Sequence, residues 1–139
     1  MHFDLVDAVV ERGTDAIVTM KSVTNAEEYL QDHFPGFPVL PGVFMIEAMV
    51  QAARRLLECG DADGNGGSDC RYVLGSVRAL KYGTFVRPGE TMRIAIEVRQ
   101  RHDDGRVECM GRGEVTGVAG DALGTCVSGR FTMRPVRPS

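Results

Sequence analysis

Apolar and polar positions alternate through most of the second half of the chain. Met92, Ile94, Ile96 and Val98 share one parity. Beyond the turn residues His102-Asp103-Asp104-Gly105, Val107, Cys109, Gly111, Gly113 and Val115 point one way, and Arg106, Glu108, Arg112 and Glu114 the other. After the break at 117–121, Leu123, Thr125, Val127, Gly129, Phe131 and Met133 fall together. A period of two belongs to strands with one packed and one solvated face, and its repetition predicts an antiparallel sheet. Tyr72 to Tyr82 predicts a further long strand. Near the start, Phe3–Val10 and Ala16–Met20 predict two short strands, joined as a hairpin through 11–14 with Gly13 at the turn.

Helical signals are concentrated between these strands. Asn25 with Glu28 three residues on forms a capping-box pattern, and the short helix it opens is broken by Phe34-Pro35-Gly36-Phe37-Pro38. The one long helix is predicted from Val43 to about Cys59, after Pro41-Gly42 and before a stop at Gly60. In its first half Val43-Phe44-Met45-Ile46 and Ala48-Met49-Val50 are apolar on every face, which predicts burial on all sides. Residues 61–70 have linker composition. The sum is a single α+β domain over 1–139, an antiparallel sheet wrapped around one central helix, an arrangement that resembles the hot-dog fold. Gly111, Gly113 and Gly129 inside the strands would permit the curvature or close backbone approach that wrapping requires.

Composition narrows the function. A chain of 139 residues with 43% hydrophobic and 25% charged positions suits an ordinary globular domain. The formal net charge of −3, with Lys and Arg scattered, argues against a nucleic-acid partner. No apolar run approaches the ~20 residues of a membrane span, and Met1-His2-Phe3-Asp4 lacks the basic start of a signal peptide. A cytoplasmic protein is expected. Cys59, Cys70, Cys109 and Cys126 form no CxxC pair, so they read as small buried thiols rather than metal ligands. Asp61-x-Asp63-x-Asn65-Gly66 matches the opening of a calcium loop. Its twelfth position is Tyr72 where a bidentate Glu is needed, with a strand expected to follow, which argues against calcium.

Chemistry concentrates in residues 33–51. Prolines and glycines between His33 and Val43 stiffen a non-regular backbone just ahead of the apolar helix. Glu47, the one charge in that half-helix, is expected to pay for desolvation, which raises a carboxyl pKa and suits an acid; a bond to a backbone group or a cation, with no chemistry, is the alternative. His33 titrates near neutrality and suits a general base, though a lone loop histidine also occurs without a task. The Gly42 N–H, at a helix N-terminus, is placed to bond a carbonyl on which negative charge develops.

This segment resembles the signature of the 3-hydroxyacyl-[acyl-carrier-protein] dehydratases, His-Phe-Pro-Gly-x-Pro-Val-x-Pro-Gly-Val followed by Glu-Ala-Met-x-Gln. The matching positions are His33, Phe34, Pro35, Gly36, Pro38, Val39, Pro41, Gly42, Val43, Glu47, Ala48, Met49 and Gln51. The sister group acting on 3-hydroxydecanoyl thioesters carries Asp at position 47, so the Glu-bearing branch is favoured. Gly75 to Glu90 is similar to the family's strand and Pro-Gly-acid turn, and the resemblance extends over about 3–134. Gly83-Thr84 stands where the family usually has arginines, and the N-terminal segment is short. Both departures bear on carrier recognition and chain length.

The resemblance implies a dehydratase acting on (3R)-3-hydroxyacyl thioesters of acyl-carrier protein or coenzyme A, in fatty-acid or related lipid or polyketide synthesis. It implies His33 as the base at the α-carbon, Glu47 as the group that helps expel water, and Gly42 N–H on the carbonyl. It further implies no cofactor or metal, and a homodimer whose sites each take His33 from one subunit and Glu47 from the other, with a trimer of dimers left open. Phe37 and Phe44 are candidates for walls of an acyl tunnel, with core packing the equal alternative. A hot-dog thioesterase and a non-catalytic carrier-binding module are the rival readings. The first generally lacks the His-Phe-Pro lead-in, and the presence of both His33 and Glu47 speaks against the second.

Overall fold

A computed structural model describes residues 5–24, 40–58 and 71–136. Among these residues six strands and one helix follow in the order β1 (Ala8–Arg12), β2 (Ala16–Ser22), α1 (Gly42–Glu58), β3 (Arg71–Tyr82), β4 (Thr91–Arg101), β5 (Val107–Thr116) and β6 (Ala122–Val136). All pairings are antiparallel, in the spatial order β1-β2-β4-β5-β6-β3. The predicted helix at 25 onward and the 61–70 loop lie outside the described residues. Tyr72 does lie in a strand, as expected of the residue that closes the calcium-loop match.

Alternation places β4 and β5 as read from the sequence. Met92, Ile94 and Ile96 are buried and Val98 is packed at the core's margin; Val107, Cys109, Gly111, Gly113 and Val115 are all buried. In β6 the parity holds only from Val127 to Met133. Cys126 and Val127 are consecutive and both buried, because the register with β5 shifts between Gly113 and Glu114. Thr125 is thereby turned to the outer face, where its hydroxyl meets Arg112 at 3.0 Å, and Leu123 is exposed, both contrary to the alternation of the sequence. An extra residue on one strand of a pair rephases everything beyond it.

The first strand is also displaced from its expected place. Leu5 and Val6 run ahead of β1 and are buried in the core. Asp7 then accepts the Ser22 N–H at 2.7 Å, and strand pairing begins only at Ala8. Glu11 and Arg12, expected in the turn, pair with Val18 and Ile17. All five residues of β1 are exposed, as befits a short edge strand.

The helix buries one stripe rather than its whole circumference. Met45, Ala48, Met49, Ala52, Ala53 and Leu56 recur at three- and four-residue steps and meet the sheet. Val43 is 65% exposed, and Phe44 and Ile46 are only partly buried, so the apolar first half is not enclosed within one chain. Small residues bring helix and sheet together: a Cβ at Gly111 would stand 2.6 Å from Met49 Sδ, with Ile96 and Phe131 at 3.1 and 3.2 Å. At the other end of the helix, Arg54 Nε donates to the Tyr72 carbonyl (2.9 Å) and Glu58 Oε2 accepts the Tyr72 N–H (2.8 Å). The start of β3 is thus clamped to α1 opposite Pro135, which has no N–H to offer.

Cys109 and Cys126 are buried free thiols, and burial pushes both up to about 11. Their contribution to stability is therefore present in full below the ordinary thiol value and is lost as pH rises towards about 11. Because the thiolate is the nucleophile, neither is expected to react with iodoacetamide at mildly alkaline pH in the folded protein, and both are expected to react in denaturant. Peptide mass spectrometry after labelling reads this; modification of either in the native state would contradict it.

Candidate active site

Glu47 stands on the second turn of α1, on the face turned away from the stripe that meets the sheet. It is half-buried, where the all-round apolar pattern predicted enclosure. One turn on, Gln51 Nε2 donates to Glu47 Oε1 at 3.3 Å. The Gln51 carbonyl oxygen in turn accepts the backbone N–H of Leu5 at 2.7 Å. A backbone N–H can only donate, so this bond fixes which end of the Gln51 amide faces the carboxyl. One oxygen of Glu47 is held, and the other has no hydrogen-bond partner among the described residues. Gln51 appeared in the sequence only as a motif match; its i, i+4 spacing from Glu47 was the signal of contact. Nothing in the sequence pointed to Leu5.

Gly42 opens the helix. The Phe44 N–H is taken by the Pro41 carbonyl at 3.0 Å, while the Gly42 N–H has no partner among the described residues. Orphan amides of this kind carry the positive end of the helix dipole. The glycine also has a packing reason. A Cβ there would lie 2.9 Å from Cε1 and Cζ of Tyr82 and 3.2 Å from its hydroxyl.

Pairing beyond the helix holds this end of the site. Leu40 N–H donates to the Val86 carbonyl at 2.8 Å, tying the entry to α1 to the segment after β3. Gly83 and Thr84 donate to the Cys126 and Thr125 carbonyls, each at 2.9 Å. A Cβ at Gly83 would run into the Thr125 carbonyl oxygen, and one at Gly124, whose φ is +131°, would stand 2.7 Å from Thr84 Oγ1. The Gly83-Thr84 departure from the family pattern is therefore part of an interlock with β6.

Of the residues singled out from sequence, the structure brings Gly42, Phe44 and Glu47 onto the first two turns of α1. Phe44 is partly buried against the core, so it packs whether or not it also borders an acyl chain. His33 and Phe37 lie outside the described residues. A groove of about 690 Å³ occupies the other side of the sheet, bordered by Val18, Ala95, Arg99, Met110, Arg112 and Ser128 among others, and none of the candidate residues lines it. No helix among the described residues is long and apolar enough to cross a membrane.

Comparison with known proteins bears on this geometry. The model of the FabA-like domain family matches residues 1–123. A 3-hydroxyacyl-[acyl-carrier-protein] dehydratase FabZ of Lactiplantibacillus plantarum is 38% identical over 96 residues, covering 68% of this chain and 63% of that protein. The match thus spans less than two thirds of that relative's length. A FabZ of Koribacter versatilis is 32% identical over 137 residues, covering 96% of this chain and 83% of its own. Among solved structures, the dehydratase heterocomplex ApeI:P from Xenorhabdus doucetiae superposes with a TM-score of 0.68 at 17% identity, covering 96% of this chain and 99% of that one. An acyl-CoA hydrolase from Agrobacterium tumefaciens gives 0.63 at 20% identity, covering 94% and 47%. At such identities these two likenesses establish the hot-dog fold alone, which dehydratases and thioesterases share.

Proposed function

Because the chain belongs to the FabA-like family, we propose that it dehydrates (3R)-3-hydroxyacyl thioesters to trans-2-enoyl thioesters, with His33 and Glu47 as its acid–base pair. The observation that carries this reading is the carboxyl of Glu47, held on the outward face of an apolar helix by an amide whose direction a backbone donor dictates. A proton donor must be aimed as well as present, and the Leu5–Gln51–Glu47 chain supplies the aim.

The elimination is redox-neutral and needs only a base, an acid and a charge-stabilising donor. His33 takes the proton from the α-carbon, and the electron pair of that C–H bond becomes the new double bond. The C3–O bond breaks as the Glu47 carboxyl passes its proton to the departing hydroxyl, which leaves as water. The Gly42 N–H holds the thioester carbonyl oxygen, where negative charge grows as the α-proton leaves.

The substrate would be carried by acyl-carrier protein or coenzyme A, and the setting is that of a cytoplasmic enzyme of fatty-acid or related lipid or polyketide synthesis. Two features support a homodimer with sites shared between subunits. Among the described residues β3 is an edge strand, paired with β6 on one side alone, and the first turns of α1 leave Val43 exposed with Phe44 and Ile46 half-covered. A second copy would cover that face.

The test is incubation of the purified protein with a series of 3-hydroxyacyl thioesters. A gain in enoyl absorbance without release of thiol is expected, together with the reverse hydration from the enoyl side. Thiol release without enoyl formation would select a thioesterase instead. Binding of acyl-carrier protein with substrates left unchanged would select a carrier-binding module.

A further inference from the structure

Tyr82 ends β3 with its ring laid against the first residue of α1. Cα–Cβ bonds in a helix tilt toward its N-terminus, so a Cβ built on Gly42 marks a point on the amide side of the first turn. The Tyr82 hydroxyl is 3.2 Å from that point and two ring carbons are 2.9 Å from it. The phenol therefore lies against the residue that opens the helix. Its backbone is fixed there: Tyr82 pairs with Val127 on β6, and the N–H of the next residue, Gly83, is bonded to the Cys126 carbonyl.

The hydroxyl has no hydrogen-bond partner among the described residues, and the residue is 52% exposed, so a bound molecule can reach it. Burial of the covered part raises the phenol above its ordinary value of 10.0, which keeps it a neutral donor across the physiological range. Packing against Gly42 asks only for a ring, which phenylalanine would supply. The oxygen is the part of Tyr82 that packing leaves unexplained.

Resting on the dehydratase reading, we propose that the Tyr82 hydroxyl donates a second hydrogen bond, beside the Gly42 N–H, to the carbonyl oxygen of the acyl thioester. Two donors converge where one backbone amide would otherwise act alone. The bond strengthens as the α-proton leaves and charge accumulates on that oxygen, so its effect falls on turnover rather than on binding.

The test compares wild type, Y82F and E47Q. Y82F keeps the ring over Gly42 and removes only the oxygen. It is expected to lower kcat by about 10- to 100-fold, with KM changed by less than about two-fold. Infrared spectra of a bound, carbonyl-labelled saturated acyl thioester of N-acetylcysteamine give the readout that packing would not move. The carbonyl stretch is expected at higher frequency in Y82F than in wild type, and unmoved in E47Q. Wild-type turnover in Y82F, or slower turnover with an unshifted stretch, would overturn the assignment while E47Q still reports on the parent reading. A wild-type protein that forms no enoyl product from any hydroxyacyl thioester would overturn both.

Discussion

Glu47→Gln and His33→Ala are each expected to slow dehydration by about 10²–10⁴-fold, the scale of losing one acid or base from a proton-transfer step. Glu47→Gln is the sharper of the two. The new carboxamide can still accept from Gln51 through its oxygen, so shape and anchoring survive and only the transferable proton is lost. If each site takes its histidine from one subunit and its carboxyl from the other, the two dead variants should rescue one another. Refolded together, they form hybrids in which one of two sites is whole. Random pairing makes half the dimers hybrid, so about a quarter of wild-type activity is expected. Turnover of the single variants near wild type would remove the residue concerned from the mechanism. A mixture as inactive as its components would show that the sites are not shared.

Gly83→Ala is expected to cost about 2–3 kcal/mol of stability, although it adds a single methyl at an exposed position. The obstacle is the carbonyl oxygen of Thr125, which is main chain and cannot swing aside. The methyl would have to part the last bonds between the end of β3 and β6, including those donated by Gly83 and Thr84. For a domain of this size the loss corresponds to roughly 5–10 °C in the unfolding midpoint. Gly13→Ala provides the control, since the nearest atom to its added methyl is 3.9 Å away, and a change within about 0.5 kcal/mol is expected there. Equal unfolding midpoints for the two variants would contradict the interlock.

The fold was legible where burial alone decides which way a residue faces. From Met92 to Ile96 in β4 and throughout β5 every second residue is buried, so the period of two reports the packing directly. It fails at Cys126, because the bulge there comes from the register with a neighbouring strand, which no local window records. It fails again at Leu5 and Val6, which are buried without a place in a strand, Leu5 being bonded through its N–H to Gln51 on α1. The apolar run at the start of α1 predicts burial on all sides, and one chain alone does not supply it. Val43 shows that hydrophobicity marks a surface to be covered without saying by what. At the candidate site, Gly42 and Glu47 were legible because their chemistry is written in residue type and spacing. Gln51 held a motif position without a role, and the backbone donor that orients it is invisible to any reading by side chain. Tyr82 passed as one aromatic in a strand because its neighbour across space is forty residues away in sequence.

The bond from Leu5 to Gln51 makes the opening stretch of the polypeptide a polarity key for the carboxyl. With that stretch seated, the amide can present only its NH₂ end to Glu47. Lifted away, the stretch takes with it the donor that sets the direction of the amide. Loss of that one backbone donor would then detune a group more than forty positions downstream without touching it.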